Sequence, residues 1–360
     1  MPPDFSKILK RRVSEYFKTT GKSRYGNGSM IFKSVAMLLL YLAPLLIILF
    51  VPFDSVWLLF LLFIISGLGM AGIGMGIMHD ANHGSYSKKQ WVNKLMGYTI
   101  NLLGANDKVW RLQHNVLHHT YTNIEEHDDD INAPFFLRFS PHAKKNFLHR
   151  FQHYYAWFFY GLSTLSWITV KDFVRYKRYF NMGLIQDRKT YTDGVLKMIL
   201  WKVVYFSFAL VLPMVLSDFS PWLILLAFVA MHFVTGLTIT LIFQTAHVVP
   251  NADFPLPNEE GQMESERFAH QLQTTCNFAP KSAVLSWLVG GLTHQVEHHL
   301  FPNISHVHYR KIAPIVKRTA EEFGLPYHSN GSLVSAVIQH FKMLRDLGRM
   351  ELQPVAADKK

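Results

Sequence analysis

The sequence predicts an all-α integral membrane fold: four transmembrane helices in two hairpins, with a cytoplasmic helical cap that holds a histidine-rich dimetal centre. Three observations carry this. Of the 360 residues, 49% are hydrophobic and only 17% charged, where a water-soluble chain carries about 25% charged residues. Four apolar stretches reach the length of about 20 residues that a helix needs to cross a bilayer core of about 30 Å. Nineteen histidines, far more than composition requires, cluster at the ends of apolar segments.

The four stretches run near 31–51, 56–78, 195–216 and 222–243. A short turn at Pro52–Ser55 joins the first two, and Ser217–Pro221 joins the last two, so each pair is a hairpin. In lipid a helix satisfies every backbone group within its own segment, which fixes these stretches as helices. Orientation follows from Lys and Arg. Seven precede the first span, fifteen lie between His79 and Thr190, and eleven follow the fourth span, while the hairpin turns contain none. Both termini and the central segment are therefore expected on the cytoplasmic side, as segment 1–30 and a cap of 79–194 and 244–349. The whole of 31–349 reads as one domain, and 350–360 as a disordered tail. The net charge of +11 is sorted by membrane side and points to lipid rather than nucleic acid. The basic N-terminus shows no cleavable signal peptide.

Two shorter apolar stretches, Trp91–Ala105 and Tyr154–Val170, are expected in the membrane interface; the second is rich in aromatics. One cysteine, Cys276, excludes disulfides, iron–sulfur clusters and CxxC redox chemistry. Gly67, Gly69 and Gly72 spell GxGxxG, but inside the second span with no preceding strand. Close helix packing accounts for them better than a nucleotide loop. Asn27, Asn303 and Asn330 head N-x-S triplets that the charge rule places on the cytoplasmic side, where they stay unmodified.

The histidines fall in four groups. His79 and His83, in H-D-A-N-H, sit one helical turn apart at the end of span two. His114, His118 and His119 lie in H-N-V-L-H-H, where adjacent histidines can serve two different metals. His247 ends span four, with Thr240 and Gln244 on its face, and T-H-Q-V-E-H-H holds His294, Gln295, His298 and His299. Unsatisfied imidazoles near lipid cost several kcal/mol in lost hydration, and a metal centre satisfies them together. His79, His83, His114, His118, His119, His247, His298 and His299 are too many for one zinc. Imidazole suits iron, copper, nickel and zinc alike. Two five- or six-coordinate ions with room for oxygen use the inventory fully, which favours two irons. Asp80, Glu297 and one or more of Asp128, Asp129 and Asp130 are expected to hold ligand tautomers; a solvated acidic loop is the other reading of the aspartate run. His232, mid-span in the fourth helix, either lines a channel with Thr240 and Gln244 or bonds a neighbouring helix.

The three boxes, followed by Leu300, Phe301 and Pro302, resemble those of the membrane fatty acid desaturases. Gln295 ahead of His298 and His299 is similar to the front-end group, which inserts a double bond between an existing one and the carboxyl end. The resemblance spans about residues 30–325. It implies an enzyme that uses O2 and two iron ions to form a C=C bond and water. It further implies an acyl channel entering the membrane half, His247 as the ligand beyond the fourth span, and either His294 or Gln295 facing the metals. Many eukaryotic members carry a fused cytochrome b5 domain with a His-Pro-Gly-Gly heme motif. That string does not occur in the sequence, so electrons are expected from a separate ferredoxin or cytochrome b5, which leans toward a bacterial inner membrane. No bound flavin, heme or nucleotide is expected. The substrate is a fatty acyl-CoA or a phospholipid acyl chain; Lys88, Lys89, Arg175, Lys177 and Arg178 are candidates for steering its anionic head. The same centre could serve a lipid or carotenoid hydroxylase or monooxygenase. A histidine-lined metal transporter is a reading from another class, which would place ligands along a mid-membrane route.

Overall fold

The computed structural model describes residues 4–258, 260, 262–263 and 265–350. The expectation for 350–360 therefore falls, Met350 apart, outside the described residues. The described chain is almost wholly helical, and four of its helices are long and apolar enough to cross a membrane: Gly28–Phe50, Val56–Asn82, Arg188–Leu216 and Pro221–His247, with mean hydropathies of 2.1–2.4. Each is opened by a side chain that accepts from free backbone N–H groups. Asn27 accepts from Ser29 and Met30, Ser55 from Leu58, Asp187 from Thr190, and Ser220 from Leu223, ahead of Pro221. Spans two and four run past their apolar stretches by four residues, so that His79 and His247 stand on the spanning helices themselves.

Span two lies between spans one and four, and small residues let it approach both. A Cβ on Gly67 would stand 2.6 Å from the Met231 carbonyl oxygen, and one on Gly69 would overlap the backbone of Leu40 and Tyr41. Thr235 donates to the Gly67 carbonyl at 2.9 Å and Ser66 to the Tyr41 carbonyl at 2.8 Å. These are the contacts expected of small residues where helices meet in lipid.

The stretch expected as an interfacial helix, Tyr154–Val170, belongs to a longer run. It continues from Gln152–Ser166 through a wide-turn segment, Trp167–Lys171, into Asp172–Asn181. The run lies along span four rather than apart from it. Gly161 and Gly236 permit backbone approach, Ser163 meets Thr240 at 2.9 Å, and Thr164 donates to the His232 carbonyl at 2.8 Å. His232 itself is buried against Tyr205 Oη (2.6 Å) and Thr164 Oγ1 (3.1 Å). Of its two expected roles, the neighbour-helix bond is present. Lys202 of span three pairs with buried Asp172 at 2.9 Å and donates to the Gly104 carbonyl at 2.9 Å, fixing the 90–105 segment, where Trp91 and Leu95 remain exposed.

The C-terminal part folds over the histidine end of the spans. Residues within 1–30 join it: helix Phe5–Thr20 buries Phe5, Leu9 and Val13 against Leu300, Phe301, Ile312 and Val316, and Arg12 pairs with Glu322 at 2.6 Å. Cys276–Phe278 pairs in parallel with His328–Asn330. Helix Leu333–Arg349 closes on Gln152–Ser166, with Tyr160 Oη 2.7 Å from His340 Nε2. Its end is held by buried Arg138, which donates to the carbonyls of Leu347 and Met350 at 2.7 Å.

Because the Gly69 approach leaves no room for a side chain, Gly69→Val must push spans one and two apart, at a cost of about 1–3 kcal/mol. A fall in melting temperature of the detergent-solubilised protein is expected, and an unchanged value would show that this approach is not tight.

Candidate metal centre

The second histidine box lies in a wide helical turn. From Leu112 to His118 the chain is π-helical, and the His119 amide bonds the His114 carbonyl, five residues back. In a regular α-helix, at about 100° per residue, His119 would point about 140° from His114. A π turn of about 4.4 residues brings it within about 50°, so His114, His118 and His119 face one side together. A second π segment, Ile73–Ile77, immediately precedes Met78 and His79 in span two. Neither wide turn was legible in the spacing, which had been laid out on α-helical geometry.

The eight imidazoles expected from sequence converge. Nitrogens of His79, His83, His114 and His298 lie within 4.8 Å of one another, as do those of His118, His247 and His299. A third group, His119, His298 and His299, joins the two. His118 and His119 thus belong to different groups, as their adjacency suggested.

The spacing fits a metal. His114 Nε2 lies 3.2 Å from His79 Nε2, 3.3 Å from His119 Nε2 and 3.4 Å from His298 Nε2. The last two are themselves 3.0 Å apart. One imidazole nitrogen has a single proton or a single lone pair, so it cannot hydrogen-bond three others at once. Ligands of an ion with bonds of about 2.1 Å stand about 3.0–3.4 Å apart, between right-angle and tetrahedral geometry. The buried Nε2 atoms of His83, His118, His247 and His299 have no hydrogen-bond partner among the described residues, although buried polar atoms are nearly always paired.

The opposite ring nitrogens of four of these histidines are anchored, as metal-ligating histidines generally are, whereas His79 Nδ1 and His119 Nδ1 have no partner among the described residues. His118 Nδ1 lies 3.0 Å from both oxygens of Asp128. His299 Nδ1 is 2.7 Å from Gln271 Oε1, His298 Nδ1 3.2 Å from Tyr309 Oη, and His247 Nδ1 3.3 Å from the Thr274 carbonyl. Burial, reinforced by neighbouring imidazoles, drives His83, His119, His298 and His299 well below the usual range. His114 falls to about 3, burial outweighing Asp130. Such rings are neutral, the ligating form. His118 is the exception. Burial lowers it, but the Asp128 and Asp130 carboxylates raise it further, to about 9.

The other expected residues lie as follows. Asp130 is 3.5 Å from His118 Nδ1 and accepts from Gln113 at 2.6 Å. Asp80 stands 3.9 Å from His79 Nδ1; its close contacts are Ser305 Oγ (2.8 Å), the His306 amide (3.1 Å) and His306 Nδ1 (2.9 Å). Glu297 turns from the imidazoles to Asn277 (2.9 Å) and Tyr327 (2.8 Å). Asp129 is bound by Arg175, Arg178 and Tyr179. That contact commits two of the cations expected to steer an anionic head. Gln244 donates to the Asp130 carbonyl at 3.2 Å. His294 falls outside the three clusters and meets Thr293 Oγ1 at 2.9 Å, whereas both amide atoms of buried Gln295 lack a partner.

Sequence reasoning missed Gln271, Tyr309 and Asn123. Gln271 bonds His299 and Thr122, and its amide reaches the His119 carbonyl at 3.3 Å. Asn123, at φ 60°, ties the carbonyls of His247 and Asp253, while its amide donates to Asp128. No spacing marks such solitary residues.

An apolar cavity abuts the first cluster. Trp110 stacks on His114, centroids 4.5 Å apart, and Phe243 lies 6.0 Å from it. Both line the cavity, which extends between spans two and four past Met78, Gly74, Met70, Ile239 and Thr235 to Thr164 and Ile168. His232, Thr240 and Gln244 are not among its lining residues.

Comparison with known proteins follows the same line. A family model described as fatty acid desaturase matches residues 55–331. The chain belongs to the fatty acid desaturase family. It is 34% identical to the sn-1 linoleoyl-lipid 6-desaturase of Arthrospira platensis, over 97% of this chain and 93% of the relative. It is 31% identical to the protein of that name from Synechocystis sp., over 96% of each. Against an acyl-lipid (8-3)-desaturase of Physcomitrium patens it is 35% identical, over 97% of this chain and 73% of the relative. The likeness first drawn from three histidine boxes thus stands for most of the chain: this desaturase-family member is an oxidoreductase with four helices long and apolar enough to cross a membrane, and its histidine clusters could hold metal.

A metal that enters at His118, His247 and His299 displaces the Nε2 proton that the two aspartates hold on His118. Affinity of the metal-free protein should therefore weaken about tenfold per unit as pH falls from 8 to 6. Titration against a competing chelator checks the slope, and a flat profile would remove His118 from the ligands. Gln271→Leu, which frees His299 Nδ1, should lower metal affinity about 10–100-fold, read as metal retained after dialysis.

Proposed function

We propose that this desaturase-family protein inserts a double bond into an acyl chain, at a centre of two iron ions held by His79, His83, His114, His118, His119, His247, His298 and His299. The observation that carries the reading is the convergence of these imidazoles, their Nε2 atoms unpaired or crowded together, at the mouth of an apolar cavity. Gln295, buried with a free amide, is assigned to the same centre in preference to His294. Bound iron would supply the reduction of O2, which provides the oxidising power that an unactivated CH2 demands and that no side chain has.

The protein's own residues bind and orient. The cavity from Trp110 and Phe243 to Ile168 takes the acyl chain, its apolar walls excluding water, and Trp110 holds the chain against the His79–His114 side of the centre. Asp128, Gln271, Tyr309 and the Thr274 carbonyl fix the imidazole orientations. Depth in the cavity sets the position of the new bond. The relatives' names favour an acyl group carried on a lipid, and two electrons come from a separate carrier, ferredoxin or cytochrome b5. The sorting of Lys and Arg supports a cytoplasmic centre, cap and termini.

Expression in a host fed defined fatty acids, with double bonds located by mass spectrometry, tests the reading. A new double bond and about two irons per chain are expected. A hydroxylated product would favour the monooxygenase alternative, and variable metal content without product would favour transport. His118→Ala should abolish product while inserted protein persists. A Cβ on Gly74 would stand 3.3 Å from Ile239 Cδ1 inside the cavity. Gly74→Val should therefore cut product at least tenfold with iron content unchanged, whereas full activity would put the chain elsewhere.

A further inference from the structure

Two short apolar stripes of the C-terminal part face outward. Between residues 265 and 349 the exposed large hydrophobic side chains are Val284 (72% exposed), Leu288 (45%), Val334 (69%) and Ile338 (48%). Each pair is spaced i, i+4, on helices Ala283–Leu288 and Leu333–Arg349, and so lies on one helix face. A water-facing surface seldom gathers its large apolar residues in this way.

Both helices pack on the bilayer side of the histidines. Gly290, two residues past the first helix, has φ 64°, and a Cβ there would overlap the Met75 carbonyl of span two. Leu285, Val289, Leu333 and Ala336 share one apolar cluster with Ala71 and Met75 of span two and with Ile239, Ile242 and Phe243 of span four. Ala71 and Met75 precede His79 by eight and four residues, about 12 and 6 Å along the helix.

The neighbours on either flank belong to the spans. Trp287 packs on Phe32 of span one at 6.1 Å, and Lys33 stands over its ring at 5.2 Å. Ile31, Phe32 and Val35 beside it are exposed. On the other flank Phe341 meets Tyr154 at 6.3 Å and Trp157 at 6.5 Å. Exposed Phe158, one turn on from Tyr154, packs on Phe233 of span four at 6.1 Å. The stripes therefore continue the outer apolar surface of spans one and four across the gap between them. Exposed lysines bound them: Lys281 stands three residues before Val284, and Lys342 four after Ile338. Inserted apolar side chains with lysines at the boundary are the order that a bilayer surface favours.

We propose that helix Ala283–Leu288 and the first turns of Leu333–Arg349 form a wedge between spans one and four. It enters the bilayer leaflet on the histidine side, where lipid acyl chains cover Val284, Leu288, Val334 and Ile338. The wedge seats the third histidine box. Its link to that box runs through Gly290 and Gly291, whose left-handed conformations hold the chain against span two and His306, and His298 follows Leu288 by ten residues. Lipid that holds the wedge therefore holds the segment of His298 and His299 in place over the spans.

The test uses the full-length protein in liposomes of phosphatidylcholine and phosphatidylglycerol, with a nitroxide attached at Val284→Cys, Leu288→Cys, Val334→Cys or Ile338→Cys. Val35→Cys, on the outer face of span one, and Glu321→Cys, exposed on the C-terminal part, serve as references. Buried Cys276 should take no label, which the unsubstituted protein checks. The four sites should collide with O2 more often than with an aqueous nickel chelate, as at Val35, while Glu321 shows the reverse. The Glu321 pattern at Val284 or Val334 would overturn the wedge. So would spin–spin broadening that unlabelled protein dilutes away, which would make the face a contact between two copies. Val284→Asp with Val334→Asp should speed amide exchange in residues 289–300 about tenfold and leave the four spans unchanged. Val284→Leu with Val334→Leu should match wild type. Unaltered exchange over 289–300 in the Asp variant would overturn the seating of the histidine segment.

Discussion

The fold turns on the burial of imidazole nitrogens that no protein group satisfies. A buried polar atom without a partner costs about 1–3 kcal/mol, and here four Nε2 atoms are orphaned while four more crowd to 3.0–3.4 Å. The rest of the structure is arranged so that this crowding is held rather than relieved. Spans two and four are pinned by backbone approach at Gly67, the π turn keeps three histidines on one side, and the C-terminal part folds back to bring His298 and His299 over the spans. The helix Phe5–Thr20 then seals the outer face of that segment with Phe5, Leu9 and Val13. Each of these elements has an apolar packing role of its own, but their common consequence is one point at which imidazoles from distant stretches of chain meet.

Much of this was legible because two strong physical signals write directly into sequence. Lipid demands unbroken apolar helices, so the four spans were visible in hydropathy to within a few residues, save the third, which begins at Arg188. Metals demand repeated donors, so seven of the eight imidazoles in the clusters stood out as boxes, and His247 as a lone histidine at a span end. What the sequence hid was of another kind. Glu297 and Asp80 sit beside ligands in the chain, yet helical geometry turns Glu297 toward Tyr327 and Asp80 toward His306. Gln271 and Tyr309, which do touch the clustered imidazoles, come from segments 28 residues before and 11 after their partners. Adjacency along a helix points side chains apart, and orientation of a ligand is a matter of tertiary contact. The run Tyr154–Val170 was legible as a helix rich in aromatics, but not its packing of one face along span four with Phe158 left exposed.

The two clusters are not equivalent, and the difference bears on where chemistry occurs. Around His118, His247 and His299 every Nδ1 has a polar partner: a carboxylate, a backbone carbonyl and an amide. Around His79, His83 and His114 the neighbours are Trp110 and Phe243, in ring contact at 4.5–6.4 Å. The aromatic faces beside His79 and His114 are shared with the apolar cavity. His298 and His299 join the two groups. The contrast between an aromatic face and an anchored one follows from packing alone, whatever ions the imidazoles would hold.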